Sequence, residues 1–209
     1  MIRPISDGGD RLRVFLDGTH VETRWIADYH VIWQTGQRNG PPEGDPAHHT
    51  HCSAYVAAAA LYLDIYILRP PNHKQLRLAN AQVTWLGGGR DETGPTAAAS
   101  GWSALGASGD DGVLDAAVTA ANLGKLVVAG YFQPPTQQSD GTTVQRAGHI
   151  VVVRPQDSFP SDDGPQVVTA GVKNFKSASM RFAFGDHPLA WPSNIQLFVH
   201  DTALEVTLI

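Results

Sequence analysis

The chain has a single cysteine, Cys52, in 209 residues. One thiol cannot close an intramolecular disulfide, and cysteine zinc clusters need two to four thiolates, so neither crosslink organises this fold. Clustered positive charge is missing too. The 15 Lys and Arg face 20 Asp and Glu for a net charge of −5, and no two basic residues are adjacent. Phosphate neutralisation requires such clusters, so nucleic acid is not an expected partner. Long apolar runs are absent as well. The longest, Ala54 to Leu63, is interrupted by Tyr55 and Tyr62 and ends at Asp64, far short of the roughly 20 residues that span a bilayer. No membrane insertion is expected. Met1 to Gly8 offers no apolar stretch of signal-peptide length, so the expectation is a soluble chain without a classical leader. Transfer to the periplasm or the extracellular space would then use another route.

What is present is a loop-rich globular composition, with 42% hydrophobic residues, 21 glycines and 14 prolines. The length suits one domain with a real core. The first fifty residues read as short strands (Leu12 to Leu16, His30 to Gln34) between turns. A Pro-rich loop ends at His51-Cys52. From Ser53 to Tyr66, apolar residues at 56, 59, 60, 63 and 67 give one helical stripe, which Thr50 can cap and Arg69-Pro70-Pro71 stops. A second helix is expected over His73 to Leu86 and a third over Leu114 to Leu123, with Gly124 as its stop. The stretch from 90 to 112 has few strong apolar residues and reads as a surface excursion, clipped by Trp102 and Leu105. Strands follow at Lys125 to Phe132, His149 to Arg154, Val167 to Ala170, Gln196 to Val199 and Leu204 to Ile209. The loop from 133 to 147 belongs on the surface. Helices first and strands after argue for α+β with an antiparallel sheet, in one domain spanning 1–209.

Cys52 falls in the first turn of the Ala-rich helix. A helix N-terminus carries partial positive charge and favours a thiolate, which is the placement a nucleophile needs. Nine histidines compete to serve as its base. His149 stands out because it follows Gly148 and opens the apolar strand Ile150-Val151-Val152-Val153. A helix-borne thiol facing a strand-borne imidazole is the arrangement of cysteine hydrolases. The group His48, His49 and His51 is poorly spaced for a metal, since neighbouring loop histidines seldom converge on one ion. Neither a metal nor another cofactor is expected, and these side chains read instead as lining the mouth of a site.

The segments His51-Cys52-Ser53-Ala54-Tyr55-Val56 and, 97 residues on, Gly148-His149-Ile150-Val151-Val152-Val153 resemble the NlpC/P60 and CHAP branch of papain-like cysteine peptidases and amidases. The resemblance covers these two segments and the order of elements. It does not extend to 90–112 or to the last forty residues. It implies a papain-like fold with N-terminal helices on an antiparallel sheet, and cleavage of amide bonds in bacterial peptidoglycan peptides. Cys52 would attack the carbonyl, with His149 as base and then acid. It also implies a polar orienting residue on the strand after the histidine. Antiparallel pairing puts Thr169, Ala170 and Gly171 opposite His149, none of them typical in that role, so Asn174 is preferred and Gln166 is second. His51 and Gln34 are candidates for the oxyanion hole beside the Cys52 amide, and Trp33 could floor a substrate groove. Delivered as a toxin, such an enzyme would be matched by an immunity or inhibitor protein. Two rival classes remain open: a catalytically inactive binding domain on the same scaffold, and an acyltransferase of transglutaminase type using the same pair.

Overall fold

Three short, nearly continuous apolar runs, Leu126 to Ala129, Ile150 to Val153 and Val167 to Val168, build the centre of the molecule, buried on both faces. In the computed structural model, which describes residues 3–42, 50–75, 77–91, 94–158 and 160–204, the order in the principal sheet is β3-β10-β4-β7-β8-β9, antiparallel throughout. These strands are β3 (Trp102–Ala107), β4 (Lys125–Tyr131), β7 (His149–Val153), β8 (Gln166–Ala170), β9 (Asn174–Ser179) and β10 (Gln196–Ala203). Two small ribbons lie outside it, β1 (Tyr29–Val31) with β2 (Arg38–Pro42), and β5 (Thr136–Gln137) with β6 (Thr143–Val144).

Because successive strand residues point to opposite faces, the sheet separates two cores. Leu126, Val128, Ile150, Val152 and Val168 face one side, where they join residues of α2 (Cys52–Tyr62) and α3 (Leu78–Leu86). Val127, Ala129, Val151, Val153 and Val167 face the other, with residues of α4 (Val113–Asn122) and of the short α5 (Met180–Ala183), followed by Phe184. Helix α1 (Asp7–Gly18) packs near α4 and β4. The chain is thus α+β with an antiparallel sheet. Among the described residues, no helix is long and apolar enough to cross a membrane.

Several elements differ from the sequence reading. Leu12 to Leu16 belongs to α1, whose N-cap Ser6 accepts from Gly9 N–H. The alternating pattern there is the inner face of a helix, with Leu12 and Leu16 fully buried. The segment 90–112 is not wholly an excursion. Within it Trp102–Ala107 is the edge strand β3, paired to β10, and the Trp102 indole donates to the Tyr66 carbonyl at 2.7 Å. Helix α2 ends at Tyr62 rather than Tyr66, with Asp64 at φ +56 turning the chain ahead of Pro70 and Pro71. Its N-cap is His51 rather than Thr50, without a side-chain cap. Residues from Cys52 to Ala60 are buried on every side, because small alanines let both the sheet and α3 approach closely. Strand β9 and helix α5 have no counterpart in the sequence reading. The last expected strand, Leu204 to Ile209, lies outside the described residues except for Leu204, which follows the end of β10.

Candidate functional site

Cys52 is the first residue of α2, and its turn is braced from two directions. The His51 ring donates through Nε2 to the Tyr29 carbonyl at 2.8 Å. The Gln82 amide of α3 donates to the Ser53 carbonyl at 3.1 Å and the Leu68 carbonyl at 2.9 Å. The thiol is buried. Burial pushes it up from its ordinary range, while the backbone amides of Ile150, Ser53 and Cys52 itself pull the other way. The helix start therefore does not by itself make this thiol acidic, because desolvation outweighs the nearby N–H groups.

The Ile150 amide can serve the sulfur because β7 and β8 part at this end. Their pairing runs through Val153↔Val167 and Val152↔Val168, whereas β8 goes on pairing with β9 at Thr169 and Ala170. The sulfur comes from the α2 side toward the resulting fork.

His149 approaches the same fork from the opposite side. It is paired with Tyr131 and shares the orientation of Val151 and Val153. Its Nε2 lies 3.0 Å from Thr169 Oγ1. Phe184 meets the ring edge-on at 5.1 Å, and His187 stacks on it at 5.8 Å with planes 19° apart. Burial, with the His187 ring adding to it, lowers the pKa of His149 to about 3. At neutral pH both groups are uncharged. Among the described residues no hydrogen bond joins the sulfur to the ring: Cys52 belongs to the α2-side core, whereas the His149 ring lies on the other face of the sheet with Val151 and Val153. Gly148 is required just before His149, because a Cβ there would press on the Tyr131 carbonyl and lie 2.5 Å from Asn80 Oδ1.

The two residues proposed as orienters are engaged elsewhere. The Asn174 amide donates to the carbonyls of Val21, Arg24 and Trp25 at 2.9, 2.8 and 3.2 Å, which fastens the segment after α1 to β9. Gln166, at the far end of β8, accepts from Ser177 Oγ at 2.9 Å. Thr169 holds the position at His149. The pairing arithmetic reached it, and only its residue type counted against it. His187 had no sequence signal, since it follows the unanticipated α5; its Nδ1 is 3.2 Å from Gln133 Oε1. Gln34 is half-buried in the turn after β1. Trp33 lies in the same turn, packed on the α2-side core, with its carbonyl accepting from the Trp25 indole. It is a brace in a turn rather than a strand-borne floor. His48 and His49 lie outside the described residues. Among the described residues no three His, Cys, Asp or Glu side chains are grouped to hold a metal ion.

No protein-family model matches the chain, and no curated protein matches it either.

Proposed function

We propose that the chain is a papain-like cysteine hydrolase of amide bonds, acting on the stem peptides of peptidoglycan. The observation that carries this reading is the start of α2 lying against the start of β7: the Cys52 thiol takes the Ile150 amide, and the neighbouring His149, its ring on the other face of the strand, has Thr169 at Nε2. An Nε2–H that donates to Thr169 would leave Nδ1 the lone pair that a base needs. The thiol proton passes to His149 as sulfur bonds to the carbonyl carbon. The C–N bond then breaks, and the amine leaves with the proton from His149. Water, deprotonated by the same ring, hydrolyses the thioester and frees the acid and the thiol. The choice of peptidoglycan rests on the resemblance of the two catalytic segments alone.

Neutral resting groups are compatible with this route, because a neutral thiol and a neutral imidazole hold the proton count that the first step consumes. They also give the inactive binding domain its best support, since a pair lacking a direct hydrogen bond need not react. Incubation with purified peptidoglycan, reading new amines and carboxyls, separates the two. Release by the native chain and none by Cys52→Ala is expected; no release by either overturns the hydrolase. Product that appears only on adding an acceptor amine would instead establish the acyltransferase.

A further inference from the structure

The stretch from 65 to 90 holds no Asp or Glu but four basic residues, Arg69, Lys74, Arg77 and Arg90, in a chain whose net charge is −5. The fold brings part of that imbalance to a groove of about 620 Å³ along α3. Asn80, Ala81, Thr84 and Trp85 recur at helical spacing and form one wall. Arg77, the N-cap residue, stands at the start of that wall. At its other end the Gly89 amide donates to the Thr84 carbonyl at 2.9 Å, which folds the chain back so that Arg90 and Asp91 line the groove as well. Cys52 and His149 do not line it, so the groove is a separate place on the molecule.

Arg77 and Arg90 are exposed, and among the described residues neither forms an ion pair. Arg69 is engaged elsewhere, over the Tyr66 ring at 5.4 Å. The acid in the lining, Asp91, has a side chain only 8% exposed and meets His73 Nε2 at 3.3 Å, so it faces a histidine. Two guanidinium groups therefore stand without a counter-charge. The lining also has an apolar part. Leu68 and Trp85 are buried, with the Trp85 indole fixed by the Pro95 carbonyl at 2.9 Å, and Phe132 is 40% exposed. The Asn80 and Gln145 amides already serve the backbone around 133 and 146, which leaves the arginines as the strong donors.

We infer that this groove binds a small organic phosphate, its oxygens held by Arg77 and Arg90 and its apolar body against Phe132 and Trp85. A phosphate ester offers three acceptor oxygens and close to two charges, enough to engage both guanidinium groups. The aromatic lining gives a reason for the ligand to carry more than the anion. The site goes beyond the hydrolase reading and does not depend on it.

Phenyl phosphate, inorganic phosphate and phenol serve as probes, titrated into the native chain by calorimetry. Phenyl phosphate should bind saturably and about tenfold more tightly than inorganic phosphate, the gain expected from covering a ring. Phenol should not bind, and added sodium chloride should weaken the phosphate ester, because exposed charges are screened. Arg77→Gln and Arg90→Gln should each cost about tenfold, as for a hydrogen bond to a charged group. Phe132→Ala should bring phenyl phosphate down toward inorganic phosphate. All three side chains are exposed, so the variants should keep the native denaturant midpoint. In the native chain, NMR shifts on adding phenyl phosphate should fall on the groove, the Trp85 indole N–H among them. No saturable binding, equal binding of the two phosphates, binding of phenol as tight as that of its ester, undiminished affinity in both glutamine variants, or shifts confined to other surfaces would each overturn the site. None of these readouts involves turnover, so failure of the hydrolase reading shows separately, as absence of Cys52-dependent product.

Discussion

The Nε2 of His149 lies 3.0 Å from Oγ1 of Thr169, across the point where β7 and β8 stop pairing. A single strand step separates that contact from the Ile150 amide that bears on the Cys52 sulfur. The open fork thus does two things. It frees a backbone N–H for the thiol, and it lets a short hydroxyl side chain on β8 reach the imidazole on β7.

Thr169→Val keeps the shape of the side chain and removes its oxygen. The His149 ring then loses its hydrogen-bond partner, and kcat for amide hydrolysis should fall about five- to tenfold, KM changing little, for the loss of a hydrogen bond of roughly 1 kcal/mol or somewhat above. Thr169→Ser should recover most of the rate. Steady-state kinetics on both variants distinguish this from a packing role, which serine would not rescue.

The buried imidazole also couples stability to acid. In the unfolded chain His149 titrates near 6.5, and in the folded chain at about 3, so between these values the unfolded state binds the extra proton. Stability should be full above about pH 6.5 and fall progressively as pH drops toward 3. His187, also lowered by burial, acts in the same direction. Denaturant midpoints measured from pH 7 to pH 4 should therefore fall in the native chain and fall less steeply in His149→Phe. Equal slopes would show that His149 is not buried in its neutral form.

Cys52 titrates in the opposite sense to an activated thiol. Burial holds it above its ordinary value, so alkylation by iodoacetamide in the folded chain should be slow at pH 8 and should rise only at higher pH. Unfolding should restore the ordinary free-thiol profile near 8.5. A folded chain that alkylates rapidly at pH 6 would contradict the neutral resting pair.

How much of this was legible depended on whether the signal was local. The β-strand at His149 and the helix at Cys52 announce themselves by composition, and antiparallel pairing led to the group Thr169, Ala170 and Gly171, within which only the structure singles out Thr169. Asn174 misled because a polar residue just past a strand end looks free to swing inward. Nothing near it in sequence says that Val21, Arg24 and Trp25, about 150 positions away, present three carbonyls to it. β3 was overlooked for a similar reason. Its residues are exposed or half-buried apart from Trp102, so this edge strand carries little of the continuous apolar run that marks a central strand buried on both faces. Leu12 and Leu16 lie four apart on one helical face, a spacing that a five-residue window reads equally well as a strand.

Asn174→Ala therefore separates the two roles considered for that residue. Three carbonyls lose their donor, and a loss of about 1–3 kcal/mol in unfolding free energy is expected, with the pH dependence of Cys52 alkylation unchanged. A variant of native stability whose Cys52 profile moves would restore Asn174 as the partner of the histidine.

Gly148 gives the sharpest test of the fork's geometry, because the variant changes no polar group. In Gly148→Ala, the new methyl meets two fixed oxygens, the Tyr131 carbonyl of the β4–β7 ladder and the Asn80 carbonyl. Asn80 cannot turn away without releasing the Arg146 carbonyl and the Gln133 amide. Either the start of β7 shifts, carrying His149 off Thr169, or α3 moves outward and disturbs the Ser53 brace at Cys52. Both routes cost stability, about 1–3 kcal/mol as for other overpacked sites, and both should depress kcat more than the loss of folded chain explains. Denaturation and kinetics on this one variant decide the matter, since unchanged turnover in a folded Gly148→Ala chain would mean that the site tolerates a displaced His149.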